Sequence, residues 1–344
     1  MRKIGLAFGF VIVIACSVVI AQENAEQGPY KVLKTEKVGG EGGFDYVYAD
    51  SEGRRLYVPR MGPSKRISIF DLDSLQPVGE IPNTGAHGVA VDPSSHHGFA
   101  SSKPVAMWDT DTMKMIKTID VQGNPDGIFL DRYKDRVYVL SHVAPNVTVI
   151  NAKDGSVVGT IDLAGAPEQG VGDGKGHLYI DVEDKNNVAV VDAKAMRVTA
   201  HYDLADNKAP AGLAFDPKNR ILFVECRNPA VSVVLSARDG KIIKTLPIGT
   251  GVDGAGFMPQ TNEAFSSQGD GTLTLIKENG PADIKIEQTV NTMPSAKTMT
   301  IDSKTQHVFL IAAEFGPAPA VAPGERRRRG PMAPGSFTIL EVGK

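Results

Sequence analysis

Short runs of β-branched and aromatic residues alternate along this chain with turns built from Gly, Pro, Asp and Asn. Such runs suit pleated, half-buried strands. The runs repeat. Leu56-Tyr57-Val58 returns as Val137-Tyr138-Val139, Leu178-Tyr179-Ile180, Leu222-Phe223-Val224 and Val308-Phe309-Leu310. Ile67-Ser68-Ile69-Phe70-Asp71 returns as Val147-Thr148-Val149-Ile150-Asn151 and Val188-Ala189-Val190-Val191-Asp192. The residue closing the first strand of each unit is Asp50, Asp92, Asp131, Asp173, Asp216, Met258 and Asp302, at spacings of 42, 39, 42, 43, 42 and 44. Four strands in a unit of about 42 residues make a propeller blade, and one blade cannot bury both of its faces alone. The pattern predicts an all-β, seven-bladed β-propeller. The seventh unit runs out one strand short, and residues 30–35 at the other end supply a strand with no unit of its own. That strand is expected to close the seventh blade and remove an exposed edge.

The series Leu56-Tyr57-Val58, Ile67-Ser68-Ile69-Phe70-Asp71, Gly79-Glu80-Ile81 and Gly85-Ala86-His87-Gly88-Val89-Ala90-Val91-Asp92-Pro93 resembles the YVTN-repeat (YncE-like) β-propellers, over nearly the whole chain after residue 21. The resemblance implies an exported propeller of a bacterium or archaeon and says little about function. Two departures stand out: Phe257-Met258-Pro259 replaces the F-D-P of Phe215-Asp216-Pro217, and the seventh unit carries a long insertion.

Arg2 and Lys3, the apolar residues 4–21 and the Val19-Ile20-Ala21 site before Gln22 read as a secretory signal peptide over residues 1–21. Residues 22–344 then form a single propeller domain, without a transmembrane segment after cleavage, in the periplasm or secreted. An uncleaved anchor is one alternative. Lipidation at Cys16, from Val13-Ile14-Ala15-Cys16, is another, against which the apolar residues 18–21 stand. Two cysteines and no C-x-x-C exclude a disulfide framework, zinc ribbons, thioredoxin-like chemistry and c-type haem. Cys226 is expected to be a buried, inert thiol. A formal net charge of −3 gives no reason to expect nucleic acid.

Five residues before each turn position stand Asp45, His87, Asp126, Glu168, Ala211, Asp253 and Lys297. In a propeller these positions meet at one mouth of the channel, so four carboxylates and a histidine form a ring there. Close carboxylates repel unless a cation or proton intervenes. Asp45, His87, Asp126, Glu168 and Asp253 are therefore the candidate metal ligands, for Ca²⁺, Mn²⁺ or Zn²⁺; the alternative is a charged, hydrated vestibule. Loops between second and third strands open on the same face and carry Arg60, His142 and Arg227 as further ligand-binding candidates. Lys65, Arg66, Lys103, Asp184, Lys185, Asn228 and Gln268 accompany them. Residues 316–335, rich in Pro, Ala and Gly and containing Arg326-Arg327-Arg328-Arg329, are expected to be disordered.

Familiar catalytic motifs fail in context. Gly249-Thr250-Gly251-Val252-Asp253-Gly254 fits G-x-G-x-x-G but leads into a strand, not a helix. The Gly170 to Gly176 stretch lacks G-K-[ST], and no H-E-x-x-H, G-x-S-x-G or EF-hand loop occurs. A single tryptophan, Trp108, argues against a quinoprotein propeller. The expected function is that of a monomeric scaffold in the cell envelope, binding a protein or small-molecule ligand at the channel mouth. The alternative is a metal-dependent hydrolase of the lactonase type, with a divalent cation at the mouth to polarise a carbonyl and activate water.

Overall fold

The structure is a computed structural model in which residues 28–319 and 330–344 are described. The expected signal peptide, Cys16 and the arginines at 326–329 lie outside them. The described strands form seven four-stranded antiparallel sheets, each a blade. Blade 1 comprises Tyr48–Asp50, Arg55–Arg60, Arg66–Asp71 and Pro77–Pro82, from the channel outward. The inner strands of blades 2 to 6 are Val89–Asp92, Pro125–Asp131, Pro167–Gly172, Lys208–Asp216 and Val252–Met258. Blade 7 takes Met299–Asp302, His307–Ala312 and Thr338–Gly343 from the end of the chain, and Lys31–Lys37 from its beginning pairs antiparallel with Thr338–Gly343. The ring therefore closes as the sequence pattern predicts. Among the described residues no helix is long and apolar enough to cross a membrane.

The core is seven layers, one between each pair of neighbouring blades. Successive side chains of a strand point to opposite faces, so each strand serves two layers. In Arg55–Arg60, Leu56 and Val58 pack toward Phe309 and Ile311 of blade 7, while Tyr57 packs toward Val89 and Trp108 of blade 2. Burial on both faces explains why the second and third strands read as unbroken apolar runs.

The repeated aspartates are turn caps and inter-blade ties. Asp216 accepts the backbone N–H groups of Lys218 and Asn219 at 2.8 and 2.9 Å, and Asp131 accepts those of Tyr133 and, from blade 4, Gly174, both at 2.9 Å. An arginine in the following blade reaches back to three of them: Arg54 to Asp302 at 2.8 Å, Arg132 to Asp92 at 2.6 Å and Arg220 to Asp173 at 3.4 Å. Met258 interrupts this series and is fully buried in the layer between blades 6 and 7. Arg132 is half-exposed, so Arg132→Ala is expected to cost only about 1 kcal/mol, read as a small drop in Tm that high salt narrows.

Of the remaining expectations, Cys226 is fully buried and burial pushes its thiol pKa up, which leaves it unreactive. Asn146, the acceptor of an Asn-x-Thr glycosylation sequon, is buried and spends its amide on Leu163 N–H and Ser141 C=O. The insertion in blade 7 is paired at its base: Phe315 bridges Met332, and Gly316 N–H donates to Pro331 C=O at 2.8 Å.

Candidate functional site

The inner strands position the ring through β-bulges. In blade 3 the register with the second strand slips between Pro125 and Ile128, and in blade 4 between Pro167 and Gly170. Blades 5 and 6 slip between Pro210 and Gly212 and between Val252 and Gly254. The residues inside these slips include Asp126, Glu168, Ala211 and Asp253. A bulge adds one residue and re-aims its side chain; here it turns the ring positions into the channel mouth. Gly127 permits this, because a Cβ there would lie 2.4 Å from the Glu168 carbonyl oxygen of the next blade. In blades 1, 2 and 7, Asp45, His87 and Lys297 occupy the segments leading into the inner strands.

The side chains close into a circuit of alternating charge. His87 Nδ1 lies 2.9 Å from both Asp45 Oδ2 and Asp126 Oδ1. His142 Nε2 lies 3.2 Å from Asp126 and 3.9 Å from Glu168. Arg227 lies 3.8 Å from Glu168, donates to Asp253, and also meets Glu183 at 2.5 Å. Lys297 pairs with Asp253 and stands 3.2 Å from Asp45, where the circuit returns to its start. Four acids alternate with four bases, and every blade contributes: Arg227 fills the gap that Ala211 leaves in blade 5.

Titration follows from this pairing. The hydrogen bonds of Asp126 and Asp45 raise the pKa of His87 to about 10, and Asp126 raises that of His142. Burial works against the charge of Asp126, but His142 and His87 outweigh it and hold its carboxyl far below the usual range. Burial drives Glu168 the other way, well above its usual value; Arg227 opposes this and Asp126 adds to it.

One residue deeper, the channel is crossed. Tyr46 of blade 1 donates its hydroxyl to the Glu168 carbonyl of blade 4 at 3.0 Å. Gln169 donates to Ala255 C=O at 3.2 Å and accepts Leu213 N–H at 3.1 Å. Beneath this crossing lies a cavity of about 460 Å³, with Tyr48, Phe129, Phe257 and Ile301 in its wall. The ring is thus a shallow, floored mouth.

Asp45, His87, Asp126, Glu168, Asp253, His142 and Arg227, all expected at the mouth, come together there. Arg60 does not join them and corrects that expectation: it is 1% exposed, with its guanidinium 3.7 Å over the Phe337 ring. The reason is parity. His142, Glu183 and Arg227 each stand five residues after the residue that opens the repeated L/V-Y/F-V motif, whereas Arg60 stands four after Leu56 and points to the other face. That offset was the sequence signal for Glu183. Gln268, also expected in an open loop, is buried and bonded to Ser266 and Thr272.

The donors of Asp45, His87 and Asp126, and of Asp126, His142 and Glu168, lie within 4.8 Å of one another, a spacing that admits a cation. The same donors are already engaged with one another. A histidine nitrogen 2.9 Å from two carboxylates is a proton donor, and a metal needs its lone pair. A cation at either cluster would therefore have to displace a proton and break these pairs.

Neither a protein-family model nor a curated protein matches this chain. Among solved structures it is similar to a chain of the mitotic checkpoint complex, with a TM-score of 0.73 and 12% identity, covering 100% of this chain and 99% of that one. It is similar to a chain of hydrazine synthase from Kuenenia stuttgartiensis, with a TM-score of 0.65 and 14% identity, covering 78% and 92%. It is also similar to the WD40 repeats of RRP9, with a TM-score of 0.69 and 11% identity, covering 91% and 97%. At these identities the likeness establishes the fold: a seven-bladed β-propeller of the kind that WD40 repeats build.

Proposed function

We propose that this protein is an exported, YVTN-repeat (YncE-like) propeller that serves as a binding scaffold in the cell envelope, with a ligand or protein partner seated at the channel mouth. The observation that carries the reading is the closed circuit of four acids and four bases. Both signs are presented within one shallow floor, and His87, His142 and Arg227 keep 37%, 37% and 29% of their side-chain surface open to solvent. Such a floor suits a partner segment carrying both a cation and an anion, because each incoming charge can replace an existing pair. The repeat pattern and the apolar N-terminal segment support the family and the export, and one of the similar structures is a chain of the mitotic checkpoint complex, a protein assembly.

The test is capture from an envelope fraction by the native chain and by His87→Ala/Lys297→Ala, with both shown to fold by circular dichroism. A partner retained by the native chain and lost by the variant supports the mouth; equal retention by both moves the site elsewhere. The metal-dependent hydrolase alternative has no support beyond donor spacing. Addition of Ca²⁺, Mn²⁺ or Zn²⁺ is expected to leave the Tm within about 1 °C of its value in chelator, whereas a bound cation at 100 times its Kd would contribute about 2.7 kcal/mol.

A further inference from the structure

The seam between blades 7 and 1 holds a buried arginine, Arg60, that faces the Phe337 ring and two carbonyls but no acid among the described residues. Arg60 ends the strand Arg55–Arg60, and Arg66, which opens the next strand, is its direct cross-strand partner. Like charges placed opposite each other in a sheet are destabilising. Arg60 is also 99% buried, yet among the described residues it has no carboxylate partner. Its terminal nitrogens reach only the carbonyls of Gly39 and Gly42, at 3.4 and 3.3 Å, and its Nε has no partner. Burial and the neighbouring Arg66 lower its pKa to about 10, with no acid opposing them. Burying a charge without a counter-charge is costly.

The two guanidiniums converge. A Cβ built at Gly40, which holds a φ of +84°, would lie 2.8 Å from Arg66 Nη2 and 3.7 Å from Arg60 Nη1, so both forks come close to the backbone there. Arg66 spends Nη1 on Ser64 C=O at 2.7 Å and its Nε on Glu80 at 3.5 Å. Both arginines line a cavity of about 370 Å³, with Lys37 at its wall and Glu36 and Glu80 as the acids that share it. We propose that this cavity is an anion site for a phosphate or phosphate monoester, with the Arg60 and Arg66 forks on its oxygens. A tetrahedral dianion offers enough acceptors for two planar forks and supplies the counter-charge that Arg60 lacks. The site is separate from the channel mouth and does not depend on the function proposed there.

Thermal melting of the full chain tests this, with inorganic phosphate or phenyl phosphate compared against sodium chloride at equal ionic strength. The expected result is a Tm rise of about 3 °C with phosphate that chloride does not produce, and that disappears in Arg66→Met. A larger rise with phenyl phosphate assigns a phosphate ester as the natural ligand; equal rises assign free phosphate. Arg60→Met is expected to lose the phosphate response while melting no lower than the native chain without phosphate, since an apolar side chain replaces an unpaired buried charge. If Arg60→Met fails to fold, Arg66→Met alone decides. No phosphate-specific rise in the native chain, or one that persists in Arg66→Met, overturns the proposal.

Discussion

Removing residues 28–37 should abolish cooperative folding of the propeller. The strand Lys31–Lys37 makes six register pairs with Thr338–Gly343 and supplies the outer edge of blade 7. Tyr30, just before it, is 3% exposed and packs edge-on against Phe265 of blade 6 at 5.6 Å. Its backbone is held in both directions by Gln288, which accepts from Tyr30 N–H at 3.0 Å and donates to Tyr30 C=O at 2.7 Å, and its hydroxyl bonds to the buried Glu263. Just beyond the strand, Val38 and Gly39 donate to the Phe337 carbonyl at 3.0 and 3.1 Å. Loss of one buried aromatic costs about 3–5 kcal/mol. With the ladder added, the deletion should cost roughly 5 kcal/mol or more, comparable with the whole stability of an ordinary domain. It would also bare Thr338–Gly343, an apolar edge ready to pair with another chain. Calorimetry should therefore record a broad, low-enthalpy transition and light scattering should record aggregation. A peptide of residues 28–38 added in trans should restore a sharp transition by refilling the edge. A deletion variant that melts sharply within 2 °C of the native chain would show that the ring does not need this closure.

That closure was legible in the sequence because it is a matter of counting: seven turn positions, three strands in the last unit and one strand left over at the start. The ring positions were legible for the same reason, since a fixed offset of five from each turn residue lands on Asp45, His87, Asp126, Glu168, Asp253 and Lys297. What counting could not supply was the pairing. The repeat reads as a crowd of carboxylates needing a cation, and the structure answers that need from within the chain. Lys297 belongs to the ring itself, while Arg227 enters from a second strand and His142 from just past the end of another. The bulges that aim Asp126, Glu168 and Asp253 leave no mark in a pattern of apolar and polar residues beyond the neighbouring Pro and Gly. Arg60 shows how narrow the margin is. It sits one residue short of the position equivalent to Arg227, and in a strand one residue reverses the side chain, which sends Arg60 into the blade seam beside Phe337.

Stability should peak on the acid side of neutrality and fall steadily toward pH 10, and Asp126→Asn should weaken both limbs of that curve. His87 has a folded pKa of about 10 against about 6.5 when unfolded. Its contribution is complete below pH 6.5 and is lost as the pH rises through 10. Because its side chain is 37% exposed, screening reduces that contribution to about 1–2 kcal/mol. Buried acids push the same way. Burial raises Asp181 to about 7 and Glu225 to about 8, against roughly 4 when unfolded, so each costs stability as the pH climbs from 4 to its folded value. Asp126, held low by its two histidines, has the opposite sign: its contribution is present above pH 4 and is lost as the pH falls toward its depressed folded value. Asp126→Asn removes the carboxylate shared by His87 and His142 and should cost about 3 kcal/mol at pH 7, the lower end for breaking a buried pair, since both histidines can still reach water. It should also leave His87 with Asp45 alone, which shrinks the loss between pH 6.5 and 10. Glu225→Gln serves as the control. Its carboxylate accepts from Ser232 at 2.9 Å and Ser266 at 3.0 Å outside the ring, so the amide should remove only the part of the decline between pH 4 and 8. Melting curves from pH 3 to 10 at fixed ionic strength resolve the two. An Asp126→Asn curve running parallel to the native one above pH 6.5 would mean that His87 does not draw its proton affinity from this ring.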